Sequence, residues 1–283
     1  MAFRARSGVF LLAALAAAGA LRAQALKSYS TTRQFHGEVR LTATVEFGGG
    51  TLRVGAGEPG SLYAMLLAYD AERFQPVSQW SAARSTVTLG LTNREGGGIS
   101  MNAGSRKQSA DIQFSPQVDL DLSLKIGAVQ SAVDFGGLRL SSLVIETGAS
   151  TVEVRFSKPN AVRCTEAVFR AGAAELNVTG LGNSRCDKVT YEGGVGSVLL
   201  DFTGAWAGNL ELEATQAMGG LTLRIPRSVG VALTTEEFLA SFQPAGFTRQ
   251  GNHYTSANYA TARRRLDVTL TTSLGGVTVE WVN

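Results

Sequence analysis

A chain of 283 residues is long enough to bury a large core as one or two domains. Its 33 glycines, 6 prolines and 17% charged residues, with plentiful Val, Leu and Thr, favour many short strands and tight turns over helices. The net charge of +3 belongs to Arg4, Arg6 and Arg22, since 26 basic residues face 23 acidic ones. Once these three are set aside the chain is neutral, which excludes charge as an argument for a nucleic-acid partner.

The first 25 residues predict a secretory signal peptide. Arg4 and Arg6 form the basic region, Gly8 to Leu21 the apolar run, and Ala23-Gln24-Ala25 an A-x-A cleavage site. The run is shorter than the roughly 20 apolar residues of a membrane span and is closed by Arg22. No cysteine follows it to carry a lipid anchor. The expected product is an exported protein of the periplasm, cell envelope or extracellular space, with no transmembrane segment after cleavage. Residues 26–283 are read as one β-domain.

Residues 26–117 are less regular. FGGGTLRVGAG from Phe47 places Leu52 and Val54 after a glycine corner, and LYAMLLAYD from Leu62 is apolar on both alternating faces, as for a strand buried on both sides. Val77 to Ser105, with Gly96-Gly97-Gly98 between two alternating runs, reads as a hairpin-like excursion.

From residue 118 to 226 the pattern becomes a repeat. VDLDLSLKIG from Val118 alternates strictly, and glycine-centred units follow: TGASTVEVRF from Thr147, AGAAELNV from Ala171, GGVGSVLLDF from Gly193 and MGGLTLRI from Met218. Period-2 alternation on both sides of each glycine predicts strand, corner, strand. Val154, Val178, Leu200 and Leu223 are separated by 24, 22 and 23 residues. A near-constant step is the mark of stacked units that bury their apolar faces against one another.

Two folds fit this repeat: a β-solenoid in which one repeat is one coil, or an antiparallel meander closing into a sandwich or barrel. Cys164 and Cys186 discriminate between them, because their separation of 22 equals the local repeat. Equivalent positions lie about 4.8 Å apart in a solenoid, within disulfide reach, and about 9.5 Å apart in a meander, beyond it. In an exported protein such a pair is expected to be bonded; the alternative is two buried thiols, or cysteines in a mobile loop where register means little.

Residues 227–265 interrupt the period. They include FLASFQPAGFTRQGNHYTSANYA from Phe238, with Phe238, Phe242, Phe247, Tyr254 and Tyr259 as apolar anchors. A cap over an open coil end is the expected use, and an aromatic-rich binding loop is the alternative. Residues 266–283, ending in LGGVTVEW from Leu274, return to the repeat.

Taken together, FGGGTLRVGAG with LYAMLLAYD, GGLRLSSLVIETGASTVEVRF, and LGGVTVEW after GFTRQGNHY resemble the toast-rack domains of bacterial envelope proteins, related to cell-wall-active-antibiotic response proteins. The resemblance spans Leu41 to Trp281. It implies a right-handed parallel β-solenoid, whose coils the residue spacing sets at about 22–24 residues, and a role in the envelope, including stress sensing, and brings no active-site residues. The absence of membrane helices sets this chain apart from anchored members and argues against direct signalling.

No catalytic, cofactor or metal constellation is found. His36 and His253 have no ligand-spaced partners, and G-x-S-x-G, P-loop and dinucleotide-binding patterns are absent. The weak surface candidates are Asp119 and Asp121, on one face of one strand about 6.8 Å apart in the manner of paired acids, and Trp206, a turn aromatic able to stack on sugars. The same acids also suit a solvated strand. The leading expectation is a non-enzymatic interaction module of the cell envelope; the alternative is a carbohydrate-binding or carbohydrate-active protein acting on envelope polysaccharide.

Overall fold

The computed structural model describes residues 26–94, 108–236, 242 and 244–283. The expected leader, the Gly96–Gly98 stretch and the anchor Phe238 lie outside these residues. Among the described residues there are sixteen strands: β1 (Lys27–Gln34), β2 (Arg40–Ala56), β3 (Ser61–Tyr69), β4 (Phe74–Ser81), β5 (Thr86–Asn93), β6 (Ser109–Phe114), β7 (Asp119–Asp134), β8 (Arg139–Thr147), β9 (Thr151–Arg155), β10 (Cys164–Thr179), β11 (Cys186–Asp201), β12 (Leu210–Pro226), β13 (Gly230–Glu236), β14 (Phe247–Gln250), β15 (His253–Ser256) and β16 (Arg265–Val282).

The long strands β2, β7, β10, β11, β12 and β16 each include a glycine corner, and β8 with β9 forms one further coil broken at that corner. They stack in parallel in the order β2, β7, β8/β9, β10, β11, β12, β16. Val154, Val178, Leu200 and Leu223 are register partners in turn. The repeat read from the sequence is therefore the coil of a parallel solenoid, and the antiparallel alternative does not describe these coils.

Inward residues of both strand halves form one apolar core, with Phe47, Phe169, Tyr191 and Phe202 among its largest fully buried side chains. The corners leave no room for a side chain at two stacked positions. Gly219 (φ +123°) and Gly275 (φ +141°) each have backbone where a Cβ would sit 1.9 Å from the carbonyl oxygen of the preceding coil. Only glycine tolerates both that approach and that dihedral.

Inside the corner, the Tyr191 hydroxyl donates to Gln216 Oε1, and Gln216 Nε2 donates to Met218 O at 2.7 Å. Burial pushes the Tyr191 phenol up to about 12. At the closing turns, Asn160 Nδ2 donates to Leu140 O (2.7 Å) and Ser184 O (3.1 Å), so one amide ties three successive coils together. Cys164 and Cys186 are register partners of β10 and β11, and they are bonded.

Both ends depart from the repeat. At the N-terminal end, β2 meets β5 along its first half and β6 along its second. Antiparallel strands then complete each half: β4 on β5, and β3 then β1 on β6. The described part of the Val77–Ser105 excursion is the β4–β5 hairpin. β3 meets the expectation of burial on both sides only at its start: Tyr63, Met65 and Leu67 face the core and Leu62, on the alternate face, is fully buried, but Leu66 on that face is 57% exposed. Its outward face carries small apolar residues, Ala64 and Ala68, so composition alone looks two-sided. At the other end, residues 227–265 supply β13, β14 and β15. β13 pairs in parallel with β16, which itself inserts beside β12, and the β14–β15 hairpin adds to the outer side of β13.

Candidate functional site

Parallel register turns the outward face into columns of side chains. One column carries Glu46, Lys125, Glu146, Arg170 and Glu192 on successive coils, alternating in sign at every step. Lys125 Nζ lies 3.3 Å from Glu46, and Arg170 bridges Glu146 and Glu192 at 3.0 Å each. Beside it, a shallow depression of about 440 Å³ is floored by corner backbone at Gly148 and Gly172. Register also places Val195, Met218 and Leu274 in a row, each about half exposed, as an apolar ridge along the corner.

Asp119 and Asp121 stand on neighbouring outward positions of β7, but each is engaged by an arginine. Arg139 reaches Asp119 at 2.8 Å, while Arg40 and the Ser142 hydroxyl (2.8 Å) hold Asp121. Burial alone would raise the Asp121 carboxyl; the hydrogen bonds from Arg40 and Ser142, with the Arg40 charge, hold it below its ordinary 3.8. A general acid needs the opposite shift. The arrangement has the chemistry of an ion-pair network.

Trp206 is not brought to these acids. It sits in the turn between β11 and β12, where its indole N–H donates to Phe202 O at 2.8 Å. The ring lies against Gly182, where a Cβ would come within 2.6 Å of Nε1. Around it is a pocket of about 230 Å³ lined also by Leu181, Leu210, Arg163, Asp187 and Asn209. Arg163 Nε bonds both carboxylate oxygens of Asp187, at 2.9 and 3.1 Å. Arg185, which also lines the pocket, takes a left-handed φ of +56°, uncommon for a side-chain-bearing residue. Its Nη1 donates to Asn160 O and Ala161 O.

Sequence reasoning named Trp206 without its companions. The available signal was the step: Arg163 and Asp187 are 24 residues apart and flank the two cysteines. The same step would have found the charge column from Lys125 to Glu192, but not Glu46, which lies 79 residues before Lys125. Among the described residues no three His, Cys, Asp or Glu side chains gather as a metal site. His36 Nδ1 lies 3.0 Å from Gln34 O, and His253 Nδ1 3.0 Å from Thr234 Oγ1. No described helix is long and apolar enough to cross a membrane.

Fold and surface together define a disulfide-linked stack of parallel β-coils faced with in-register ion pairs. The chain belongs to the toast-rack family: residues 23–179 match the domain described as the N-terminal domain of toast_rack, DUF2154. No curated protein matches it. Similar solved structures include a protein from Clostridium sporogenes provisionally termed a cell adhesion protein, at 16% identity and a TM-score of 0.47, covering 91% of this chain and all of that one. Another is a provisionally termed adhesin from Bacteroides fragilis, at 13% identity and a TM-score of 0.35, with 90% and 97% covered.

Proposed function

We propose that this chain is an exported, non-enzymatic module of the bacterial cell envelope that presents a rigid, patterned surface to a partner there. The observation carrying this reading is the outward charge column from Glu46 to Glu192, with both candidate acids of β7 likewise held by arginines. Charges fixed at the spacing of a parallel sheet form a template for a complementary surface, giving specificity more than raw affinity. Family membership and the sequence of the leader support the envelope as the site of action and extend the proposal to envelope stress response. In this reading residues 227–265 act as a cap, supported by the pairing of β13, β15 and β14 beyond β16.

The test is fractionation and crosslinking of the full chain expressed with its leader in a bacterial host. The expected result is recovery in the envelope fraction with one reproducible crosslinked partner, lost in Arg170→Glu. Retention in the cytoplasm, or crosslinking unaffected by charge reversal, would overturn the proposal. So would polysaccharide hydrolysis by the purified chain that disappears in Asp121→Ala. Polysaccharide binding is the second reading, favoured by the pocket at Trp206.

A further inference from the structure

We infer that the pocket at Trp206 is a carbohydrate subsite that takes one pyranose ring of a glycan. The volume of about 230 Å³ falls below the roughly 300–1,000 Å³ of pockets that enclose drug-sized ligands, which suits a single ring. Its apolar lining includes Trp206, Leu181 and Leu210. An aromatic plane complements the C–H face of a sugar, and apolar walls with a few placed polar groups are the usual make-up of a ligand site.

The rim decides the class. Arg163 and Asp187 together offer guanidinium donors and a carboxylate acceptor at one place, and adjacent hydroxyls need both kinds of partner. Arg185 also lines the pocket, with its Nη1 donating to Asn160 O and Ala161 O, and an apolar ligand would leave these charged groups desolvated at the mouth. A polyol, which can both donate to Asp187 and accept from Arg163, avoids that penalty.

The pocket is also held in place before any ligand arrives. Cys186 lines it and is bonded to Cys164. Next to that bond, Arg185 is fixed in its left-handed conformation by two hydrogen bonds to the neighbouring turn. Backbone held in such a conformation at a cleft motivates a functional hypothesis. Trp206 is anchored at both ends, by its indole N–H on Phe202 O and by Arg264 Nε on its own carbonyl at 3.1 Å. Sites of this kind bind more tightly because less ordering remains to be done.

This inference rests on the envelope-module reading only for where the glycan is met; binding itself is tested on the purified chain. The indole N–H resonances of Trp80, Trp206 and Trp281 would be followed by NMR, with Trp206 assigned through Trp206→Phe. Probes are the methyl β-glycosides of glucose and galactose, N-acetylglucosamine, and glycerol and acetate as non-sugar controls. The expected result is a saturable shift of Trp206 alone with at least one sugar, at a Kd near 1 mM or tighter, weakened at least tenfold in Asp187→Asn and Arg163→Ala. Both substitutions fall in an exposed ion pair, a kind that contributes little to stability, and each variant's unfolding temperature would be checked against the parent. Absence of a saturable shift, equal shifts at the other two tryptophans, equal response to glycerol or acetate, or unchanged binding by both folded variants would overturn the subsite. None of those results bears on envelope location or on a partner of the charge column.

Discussion

The central coils, β7 to β12, and the N-terminal end, β1 to β6, solve the same problem of burying an apolar face in different ways. In the centre a coil is covered on both sides by equivalents of itself, so one register fixes every neighbour. At the N-terminal end no further long coil lies beyond β2 among the described residues, and its two halves are covered separately by β5 and β6. The chain then reverses, and antiparallel strands β4, β3 and β1 finish the sheet. A continued parallel stack would leave a long open edge inviting further pairing. Short strands, one of them carrying Pro76 and the other Lys27 and Arg33, make poorer templates. Regularity thus belongs to the interior, and its interruption is what ends the stack.

Several substitutions would break or sharpen that contrast. The largest effect is expected from Gly219→Val, which drives a side chain into the Gly196 carbonyl and should abolish cooperative folding; Gly220→Ala beside it, where a Cβ meets nothing within 4 Å, should be nearly silent. Paired urea titrations would show it. Leu200→Ala, fully buried in the centre, should cost about 2–5 kcal/mol, whereas Val279→Ala, half-buried on the last coil, should cost less than half as much in the same assay.

Replacing both cysteines by alanine should remove about 3 kcal/mol and lower the thermal midpoint of the central coils, read by hydrogen exchange at β10 and β11; an unchanged midpoint would mean that register alone holds them. The smallest effect concerns charge. Because the folded Asp121 carboxyl sits below its ordinary value, its contribution is complete above that unfolded value and fades as pH falls through the folded one. Asp121→Asn should therefore flatten the stability profile below about pH 4, by no more than about 1 kcal/mol as expected for an ion pair reaching solvent. Arg170→Ala should do comparably little at high salt.

Much of the centre was legible because a parallel stack converts sequence distance into spatial adjacency. Val154, Val178, Leu200 and Leu223 needed only subtraction to be paired, as did Cys164 and Cys186. The N-terminal end was less legible for a physical reason: alternation in β3 and β6 is the same whether strands run parallel or antiparallel, so nothing in Leu62 to Tyr69 declares its direction. The candidate acids were visible as residues, but the arginines opposing them come from neighbouring coils whose register the local alternation does not give. Arg40 reaches Asp121 from 81 residues away, a distance set by the whole N-terminal end. The Trp206 pocket gathers its lining from three closing turns, which are free of the alternation that made the strands readable.

The Cys164–Cys186 bond has one more consequence, for a chain exposed to proteases. It encloses the rest of β10 and the turn at Leu181–Asn183 in a covalent loop. A single cut anywhere between residues 165 and 185 leaves both halves of the polypeptide tethered, and the stacked sheet can hold the severed ends in place. On a gel without reductant such a nicked molecule would run as one species, and only reductant would release two fragments.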